Sequence, residues 1–123
     1  MSRRQHPEDQ IQRAVFEHLR VRGAPDVFAF HVPNGGWRSR IEAAILEGLG
    51  VRAGVPDVIV VKNGRTYALE LKTPGGRLTE AQYAAHAALR TAGAAVATSF
   101  SLDDALAQLE RWGLLRGRAA ISR

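Results

Sequence analysis

Two acidic residues and one lysine are spaced so that a β-hairpin would bring them together. Asp57 opens one β-rich run, and Glu70 and Lys72 end a second run that starts after the pair Asn63-Gly64. Asn-Gly between two such runs predicts a hairpin with a two-residue turn. This turn sets the register, which places Asp57 directly opposite Glu70, and Lys72 points to the same face of the sheet as Glu70. The pattern therefore predicts two facing carboxylates with a lysine beside them.

This arrangement favours a metal site. Like charges on directly opposed strand residues destabilise a sheet, and a bound cation would offset that repulsion. Asp57, Glu70 and a backbone carbonyl between Glu70 and Lys72 are hard oxygen ligands, which suit Mg²⁺ or Mn²⁺. Such a cation polarises a phosphodiester and lowers the pKa of a bound water, while Lys72 would orient that water or neutralise charge on the phosphate. The alternative interpretation is an edge hairpin whose three charged side chains decorate a solvated face.

Helix and strand signals along the chain predict a mixed sheet with helices on its faces. Two capping-box patterns, Ser39 with Glu42 and Thr79 with Gln82, each predict the start of a helix, and glycines predict where helices end. The predicted elements are a helix from Pro7 to near Gly23, a strand Val27–Val32, a helix from about Arg40 to Leu49, strands Asp57–Lys62 and Arg65–Lys72, a helix opened by Thr79 that ends near Gly93, a strand Val96–Phe100, and a helix from Ser101 toward Trp112.

Composition narrows the class of protein. The chain has 123 residues, 46% hydrophobic and 24% charged, and we expect a single soluble domain over residues 1–123, with a core at about 7–115 and a basic tail at 116–123. No apolar run reaches the roughly 18 residues of a membrane span, and no signal-peptide pattern opens the chain. The absence of cysteine excludes disulfides and thiolate metal sites, so we expect an intracellular, cytoplasmic protein. A net charge of +5 favours a polyanionic partner, nucleic acid first.

Several short motifs together resemble a known family. They are Gly54-Val55-Pro56-Asp57, Glu70-Leu71-Lys72, Gly76-x-Leu78-Thr79-x-x-Gln82 and Gly93-Ala94. In this combination they are similar to the virus-type replication-repair nuclease (VRR-NUC) domain of the PD-(D/E)XK nuclease superfamily. The similarity runs from about Glu8 to Leu115 and is strongest to small stand-alone members from phages and bacteria. The resemblance implies an α/β fold with a restriction-endonuclease-like αβββαβ core, in which a mixed central sheet is flanked by helices and an extra helix follows the first strand.

The resemblance also implies Mg²⁺- or Mn²⁺-dependent cleavage of DNA phosphodiesters. Carried over to this sequence, Asp57 and Glu70 would be metal ligands and the carbonyl of Leu71 would complete the set. Lys72 would be the catalytic lysine. The resemblance implies no small-molecule cofactor beyond the metal ion.

Two further side chains match the family pattern and have structural explanations of their own. Glu8 would be the acid of the first helix that reaches the metal directly or through water, but an acid there also stabilises a helix through its dipole, and Asp9 is an alternative acid. Gln82 matches the glutamine that family members carry in the helix after the catalytic strand. It is also the partner of Thr79 in a capping box, which is sufficient reason for a glutamine.

A second region, residues 31–40, is expected to contact DNA. It combines a Gly-rich turn with the start of a helix, where backbone N–H groups and the helix dipole attract anions. The expected phosphate or strand contacts are Asn34, Arg38 and Arg40, together with Arg77 in the loop after the catalytic strand. His31 either assists this site or is a hydrogen-bonded structural residue, and Trp37 either stacks on an unpaired base or covers the core.

The remaining candidates are interpreted as structural. His6, His18 and His86 do not have the spacing of zinc ligands, so we expect them in structural or surface positions. Tyr83, Leu89 and Ala92 recur at helical spacing and are expected to pack in the core.

The leading hypothesis is a metal-dependent, structure-selective DNA endonuclease that acts on branched DNA such as four-way junctions. So small a domain has little surface for reading bases, and the stand-alone relatives imply a homodimer whose two sites would span a symmetric junction. The first alternative is a DNA-binding module on a nuclease fold that catalyses nothing. The second is a structural or interaction protein whose positive charge only keeps it soluble.

Overall fold

Four helices and four strands make up the part of the chain that the structure describes. The structure is a computed structural model, and it describes residues 7–33 and 38–117. In chain order the elements are α1 (Pro7–Arg22), β1 (Phe28–Phe30), α2 (Arg40–Gly48), β2 (Val58–Lys62), β3 (Arg65–Leu71), α3 (Glu80–Thr91), β4 (Ala95–Ser99) and α4 (Leu102–Arg111). This order is the predicted one. Over the described ranges, none of the helices is both long and apolar enough to cross a membrane, and residues 118–123 of the predicted basic tail lie outside those ranges.

The strands form one mixed sheet in the order β1-β2-β3-β4. β1, β2 and β3 pair antiparallel, whereas β4 lies parallel to β3 and follows α3 in the chain. The β2–β3 ladder runs from Val58 opposite Leu69 to the turn at Asn63-Gly64. Asn63 has φ of 51° and Gly64 of 78°, and a type I′ turn requires positive φ at both positions. The predicted mixed sheet and hairpin register are therefore confirmed.

The two faces of the sheet have different surroundings. One face carries the main apolar core, packed against α1 and α4, whose buried residues include Val15, Leu19, Val58, Val60, Leu69, Leu71, Leu106 and Leu109. Because side chains alternate along a strand, Glu70 and Lys72 point to the opposite face from Leu69 and Leu71. That second face is covered by α3, which buries Ala85 and His86. The candidate catalytic residues thus lie between the sheet and α3, on the face opposite the main core.

The helix ends follow the predicted capping residues. Ser39 forms a capping box with Glu42 at the start of α2, and Thr79 forms one with Gln82 at the start of α3. Ser101 accepts a hydrogen bond from the backbone N–H of Asp104 at the start of α4. The residues after the helix ends that adopt positive φ are Gly50, Gly93 and Gly113. Local side-chain-to-backbone bonds therefore set these boundaries, as the sequence patterns predict.

Three expectations about strands and core residues were wrong in detail. β1 covers Phe28–Phe30 rather than residues 27–32, and β4 ends at Ser99 rather than Phe100. Tyr83 is 64% exposed and Ala92 is exposed, so neither lies in the core, while Leu89 is half-buried. Periodicity alone does not show which face of α3 meets the sheet. The face that is buried there carries Ala85 and His86, so it mixes an apolar and a polar residue.

A buried arginine joins α1 to the C-terminal part of the chain. Arg22 is 1% exposed, pairs with the carboxylate of Glu110 at 2.6 Å and donates to the carbonyl of Arg116. Its Nε also donates to Nδ1 of His18 at 3.2 Å. His18 therefore has the structural role that was one of its two predicted alternatives. These bonds join the C-terminal end of α1 to α4 and the residues that follow it.

Candidate active site

A cluster of polar side chains lies next to α3, where β2 begins and β3 ends. Glu70 is 2% exposed and Lys72 is 9% exposed, which is unusual burial for charged residue types. Beyond the end of β3 the ladder continues, because the N–H of Lys72 donates to the carbonyl of Ser99 at 2.9 Å. Buried charged groups are paired or hydrogen-bonded in stable proteins. The partners of Glu70 therefore define the site.

Asp57 directly precedes Val58, the first paired residue of β2, and lies opposite Glu70 in the predicted register. Its Oδ2 accepts a hydrogen bond from the backbone N–H of Leu71 at 2.9 Å. Its own carbonyl accepts from Nδ1 of His31 at 2.7 Å. His31 thus anchors the backbone of Asp57 from the segment after β1, which is the hydrogen-bonded structural role that was one of its two alternatives. A contact of His31 with DNA stays a prediction.

The loop before Asp57 is packed directly against the first turn of α3. Gly54 has φ of +83°, and a Cβ at that position would lie 2.2 Å from the carbonyl oxygen of Ala81. No side chain fits there, and the positive φ is itself unfavourable for other residues. Pro56, next to Asp57, is buried. The Gly-Val-Pro-Asp motif therefore sets the distance between Asp57 and α3.

Burial and the second carboxylate raise the pKa of Glu70 from its ordinary value of 4.5 to about 9. Burial contributes most, followed by the negative charge of Asp57 and a hydrogen bond with its side chain. The ammonium of Lys72 acts in the opposite direction, and the charge of Glu8 adds a smaller upward effect. In the absence of a cation a raised pKa of this size keeps Glu70 protonated at neutral pH.

Gln82 forms the predicted capping box and also contacts Glu70. Its Oε1 accepts from the backbone N–H of Thr79 at 2.9 Å, and the backbone N–H of Gln82 donates to Thr79 Oγ1 at 3.1 Å, which completes the capping box. Its Nε2 donates to Oε2 of Glu70 at 3.3 Å. One side chain therefore caps α3 and holds a carboxylate on the neighbouring strand.

His86 lies at the same cluster, which the sequence analysis did not predict. Its side chain is 1% exposed, and Nε2 lies 3.5 Å from Oε1 of Glu70. Burial lowers the pKa of His86, and the positive charge of Arg90 lowers it further. The spacing of zinc ligands does not identify His86 as a residue of this cluster. The available signal was its position four residues after Gln82, which places both side chains on one face of a helix.

The donor set fits a hard divalent cation. Asp57 and Glu70 supply two carboxylates, and Oε1 of Glu70 is buried without a hydrogen-bond donor. Within the ranges 7–33 and 38–117, no three His, Asp or Glu side chains are grouped as metal ligands. A cation at this position would therefore take its other ligands from backbone carbonyls such as that of Leu71 and from water. This is the usual coordination of Mg²⁺, which binds one or two carboxylates and keeps several waters.

Glu8, the acid predicted on α1, is not grouped with these two carboxylates as a metal ligand. Glu8 is half-buried and its charge reaches Glu70, but it does not complete a three-side-chain ligand group. Asp9 is also half-buried. Participation of either acid in metal binding stays a prediction.

The predicted DNA contacts are placed in different parts of the molecule. Arg38 and Arg40 line an open groove of about 450 Å³ between α2 and residues 51–53, together with Arg52 and Glu47. Arg77 is exposed in the loop between β3 and α3. Asn34 and Trp37 lie outside the described residues. The structure therefore groups two of the predicted contacts in one basic groove and leaves Arg77 on the loop next to Lys72.

Comparison with known families identifies the fold. The sequence pattern of the VRR-NUC domain matches residues 7–99, which is 93 of the 123 residues and covers α1 through β4. The chain belongs to the VRR-NUC family. A solved structure described as a VRR_NUC domain protein superposes with a TM-score of 0.73 at 22% sequence identity, covering 89% of this chain and 90% of that one. At this identity the similarity establishes the fold. No curated protein matches the chain.

The VRR-NUC match contains every described residue of the candidate site. Asp57, Glu70, Lys72, Gln82 and His86 all lie between residues 7 and 99, whereas α4 follows the matched region. The predicted restriction-endonuclease-like α/β architecture is thus confirmed, with α2 as the extra helix after the first strand. This VRR-NUC chain has a nuclease-type fold, which indicates DNA as its substrate class.

Proposed function

We propose that this chain is a Mg²⁺- or Mn²⁺-dependent DNA endonuclease that hydrolyses phosphodiester bonds in branched DNA, such as four-way junctions. The observation that carries the proposal is the half-buried Asp57 beside the buried Glu70, with Lys72 at the same strand end, inside a VRR-NUC fold. Burial and the nearby Asp57 raise the pKa of Glu70, which shows that its ionised form is unfavourable without a cation. The two adjacent carboxylates are explained by a cation that binds between them.

Each residue of the cluster has a distinct role in this proposal. Asp57, Glu70 and the Leu71 carbonyl would hold the cation, which when bound supplies Lewis-acid activation of the phosphodiester and a water of lowered pKa. Glu70, protonated at neutral pH without a cation, would have to lose that proton to act as a ligand. Lys72 is largely buried, so its charge is weakly screened. It neutralises negative charge that builds on the phosphate in the transition state.

Positive charge on the surface would hold the DNA strand. Arg38, Arg40 and Arg52 line an open groove in which they would contact a phosphate backbone, and Arg77 is exposed on the loop that follows Lys72. Each phosphate contact on duplex DNA makes log K fall with log salt by a slope of about −0.9. Backbone contacts of this kind read shape rather than base sequence. They are the contacts expected of a structure-selective enzyme.

Exposed apolar residues support the homodimer that a symmetric junction would require. α2 buries none of its residues, and Ile41, Ile45 and Leu49 are exposed by 73%, 58% and 76% on one stripe of the helix. A nine-residue helix without buried side chains is marginal on its own. A second copy of the chain packed on this stripe would stabilise it. Two active sites related by a twofold axis could then cut both strands of a junction.

A cleavage assay on a labelled panel tests the proposal. The panel comprises a four-way junction, a flap, a nicked duplex, a plain duplex and single-stranded DNA, each with Mg²⁺, Mn²⁺ or EDTA. Lys72→Ala is compared with Lys62→Ala, a matched change at the other end of the same hairpin. We expect metal-dependent cleavage, strongest on the junction, that is lost in Lys72→Ala and kept in Lys62→Ala. Failure to cleave any DNA with either metal would contradict the proposal.

The oligomeric part of the proposal has a separate test. Sedimentation of the wild-type chain should give a dimer, and Ile45→Glu on α2 should give a monomer. Val21→Glu, which changes an exposed apolar residue of α1 (51% exposed), is the control and should stay dimeric. A strictly monomeric wild-type chain that still makes paired cuts would overturn the dimer.

A second candidate function is a DNA-binding module without catalysis. What favours it is the raised pKa of Glu70, since a carboxyl group that keeps its proton is a poor ligand for a cation. Retardation of the same DNA panel without cutting, and without Mn²⁺ binding, would support it.

A further inference from the structure

His86 is the buried polar residue whose role at the site is not explained by the roles assigned above. Neither of its ring nitrogens has a hydrogen-bond partner among the described residues, although the side chain is 1% exposed. The atom that faces it, Oε1 of Glu70, is also buried and also without a donor. Nε2 and Oε1 are 3.5 Å apart, so an approach of about 0.5 Å would make an ordinary hydrogen bond. A hydrogen bond between Nε2 of His86 and Oε1 of Glu70 would satisfy both atoms.

Gln82 already holds the other oxygen of the same carboxylate. Its Nε2 donates to Oε2 of Glu70 at 3.3 Å, and Gln82 and His86 are four residues apart on α3. Both side chains therefore leave the helix on one face, one turn apart. A second donor from α3 on Oε1 would fix the rotation of the Glu70 carboxylate about its last bond.

We propose that His86 is a positioning residue that donates its Nε2–H to Oε1 of Glu70 and orients this carboxylate toward a divalent cation. The inference rests on the proposed function, because it takes Glu70 as a metal ligand. His86 touches neither the cation nor the DNA and acts only through Glu70. Hydrogen bonds to ligating side chains fix their orientation, and losing one weakens metal binding by about 10- to 100-fold.

The affinity of the chain for Mn²⁺, measured by calorimetry without DNA, tests this role apart from cleavage. Three variants are compared with the wild type. His86→Phe fills similar space without a donor, and His86→Gln places an amide N–H at a reach similar to that of Nε2. His18→Phe is the control, because it replaces a half-buried histidine of α1 on the other side of the sheet.

We expect His86→Phe to weaken Mn²⁺ binding about 10- to 100-fold, His86→Gln to recover most of the loss, and His18→Phe to bind like the wild type. A purely structural histidine would give a different result. His86→Phe would then change the melting temperature of the metal-free chain and leave the Mn²⁺ affinity unchanged, which would overturn the inference. A wild-type chain that binds no Mn²⁺ would overturn the proposed function as well, so the two failures are distinguishable.

A measurement on the wild-type chain covers the case in which His86→Phe does not fold. Nitrogen-15 NMR of the imidazole rings in the presence of Mg²⁺ reports which ring nitrogen carries the proton. The proposal requires the Nε2–H tautomer at His86. Finding the proton on Nδ1 instead would overturn it.

Discussion

Gln82 and Glu70 are joined by a hydrogen bond of 3.3 Å from the side-chain amide of one to the carboxylate of the other. The same amide group accepts the backbone N–H of Thr79 through its oxygen. The start of α3 and the orientation of Glu70 therefore depend on one side chain. A change at the cap of α3 should thus also change the orientation of the Glu70 carboxylate.

Replacing Gln82 by alanine should affect both stability and cleavage. Loss of the reciprocal capping bond should lower the free energy of unfolding by about 1 kcal/mol, and loss of the donor to Glu70 should also reduce cleavage. Glu42→Ala is the matched control, because Glu42 occupies the same position in the capping box of α2 and has no contact with Glu70. Urea unfolding and single-turnover cleavage of both variants measure the two effects. Equal losses of activity in the two variants would show that the contact with Glu70 is irrelevant.

Replacing Asp57 by asparagine should separate DNA binding from cleavage. The amide oxygen can still accept from the N–H of Leu71, so the fold should persist, but the carboxylate charge is lost. We expect cleavage to fall by about 10²- to 10³-fold, as for other losses of one preorganised charge-stabilising group, with most DNA binding retained. Single-turnover cleavage with Mg²⁺ and gel retardation with EDTA measure the two properties. Near wild-type turnover would mean that Asp57 is not part of the site.

The metal-free chain should lose stability as the pH rises from 7 to 9. Glu70 has a pKa raised in the folded state, so its contribution to stability is full below its ordinary value of 4.5 and is lost as the pH rises toward about 9. His86 has a lowered pKa, so its own effect is a loss of stability as the pH falls below 6.5, outside this range.

Urea unfolding in EDTA at pH 7, 8 and 9 measures this dependence. The slope should be weaker in Glu70→Gln, which has no titrating carboxyl group at that position. A wild-type stability that stays level or rises between pH 7 and 9 would contradict the raised pKa.

Replacing Gly54 by alanine should destabilise the chain more than the same change at Gly64. Both glycines have positive φ, +83° and +78°, so both variants have the same backbone strain, about 1–2 kcal/mol. At Gly64 there is open space for a Cβ, whereas at Gly54 the Cβ would lie 2.2 Å from the carbonyl of Ala81. The larger loss of unfolding free energy and of cleavage in Gly54→Ala would measure the contact between the loop and α3. Equal losses would show that this contact has no cost.

Local signals in the sequence determined the hairpin, its register and the helix starts. Asn63-Gly64 specifies the turn because positive φ is needed at both positions, and the turn then places Asp57 opposite Glu70. The capping boxes at Ser39 and Thr79 are complete within four residues of sequence. Such features depend on bonds between near neighbours, so they can be derived without knowledge of the rest of the fold.

Only the tertiary structure decided which face of α3 meets the sheet. Tyr83 was expected inside because of its apolar spacing, yet it is exposed, and His86 is buried beside Glu70. This outcome depends on how α3 connects β3 to the parallel strand β4 and on the close approach at Gly54, neither of which is encoded within one helix. Amphipathic periodicity identifies an apolar face but cannot show that the face packed on the sheet is one that carries both Ala85 and His86. The pair formed by His86 and Glu70 is therefore a property of the packed fold.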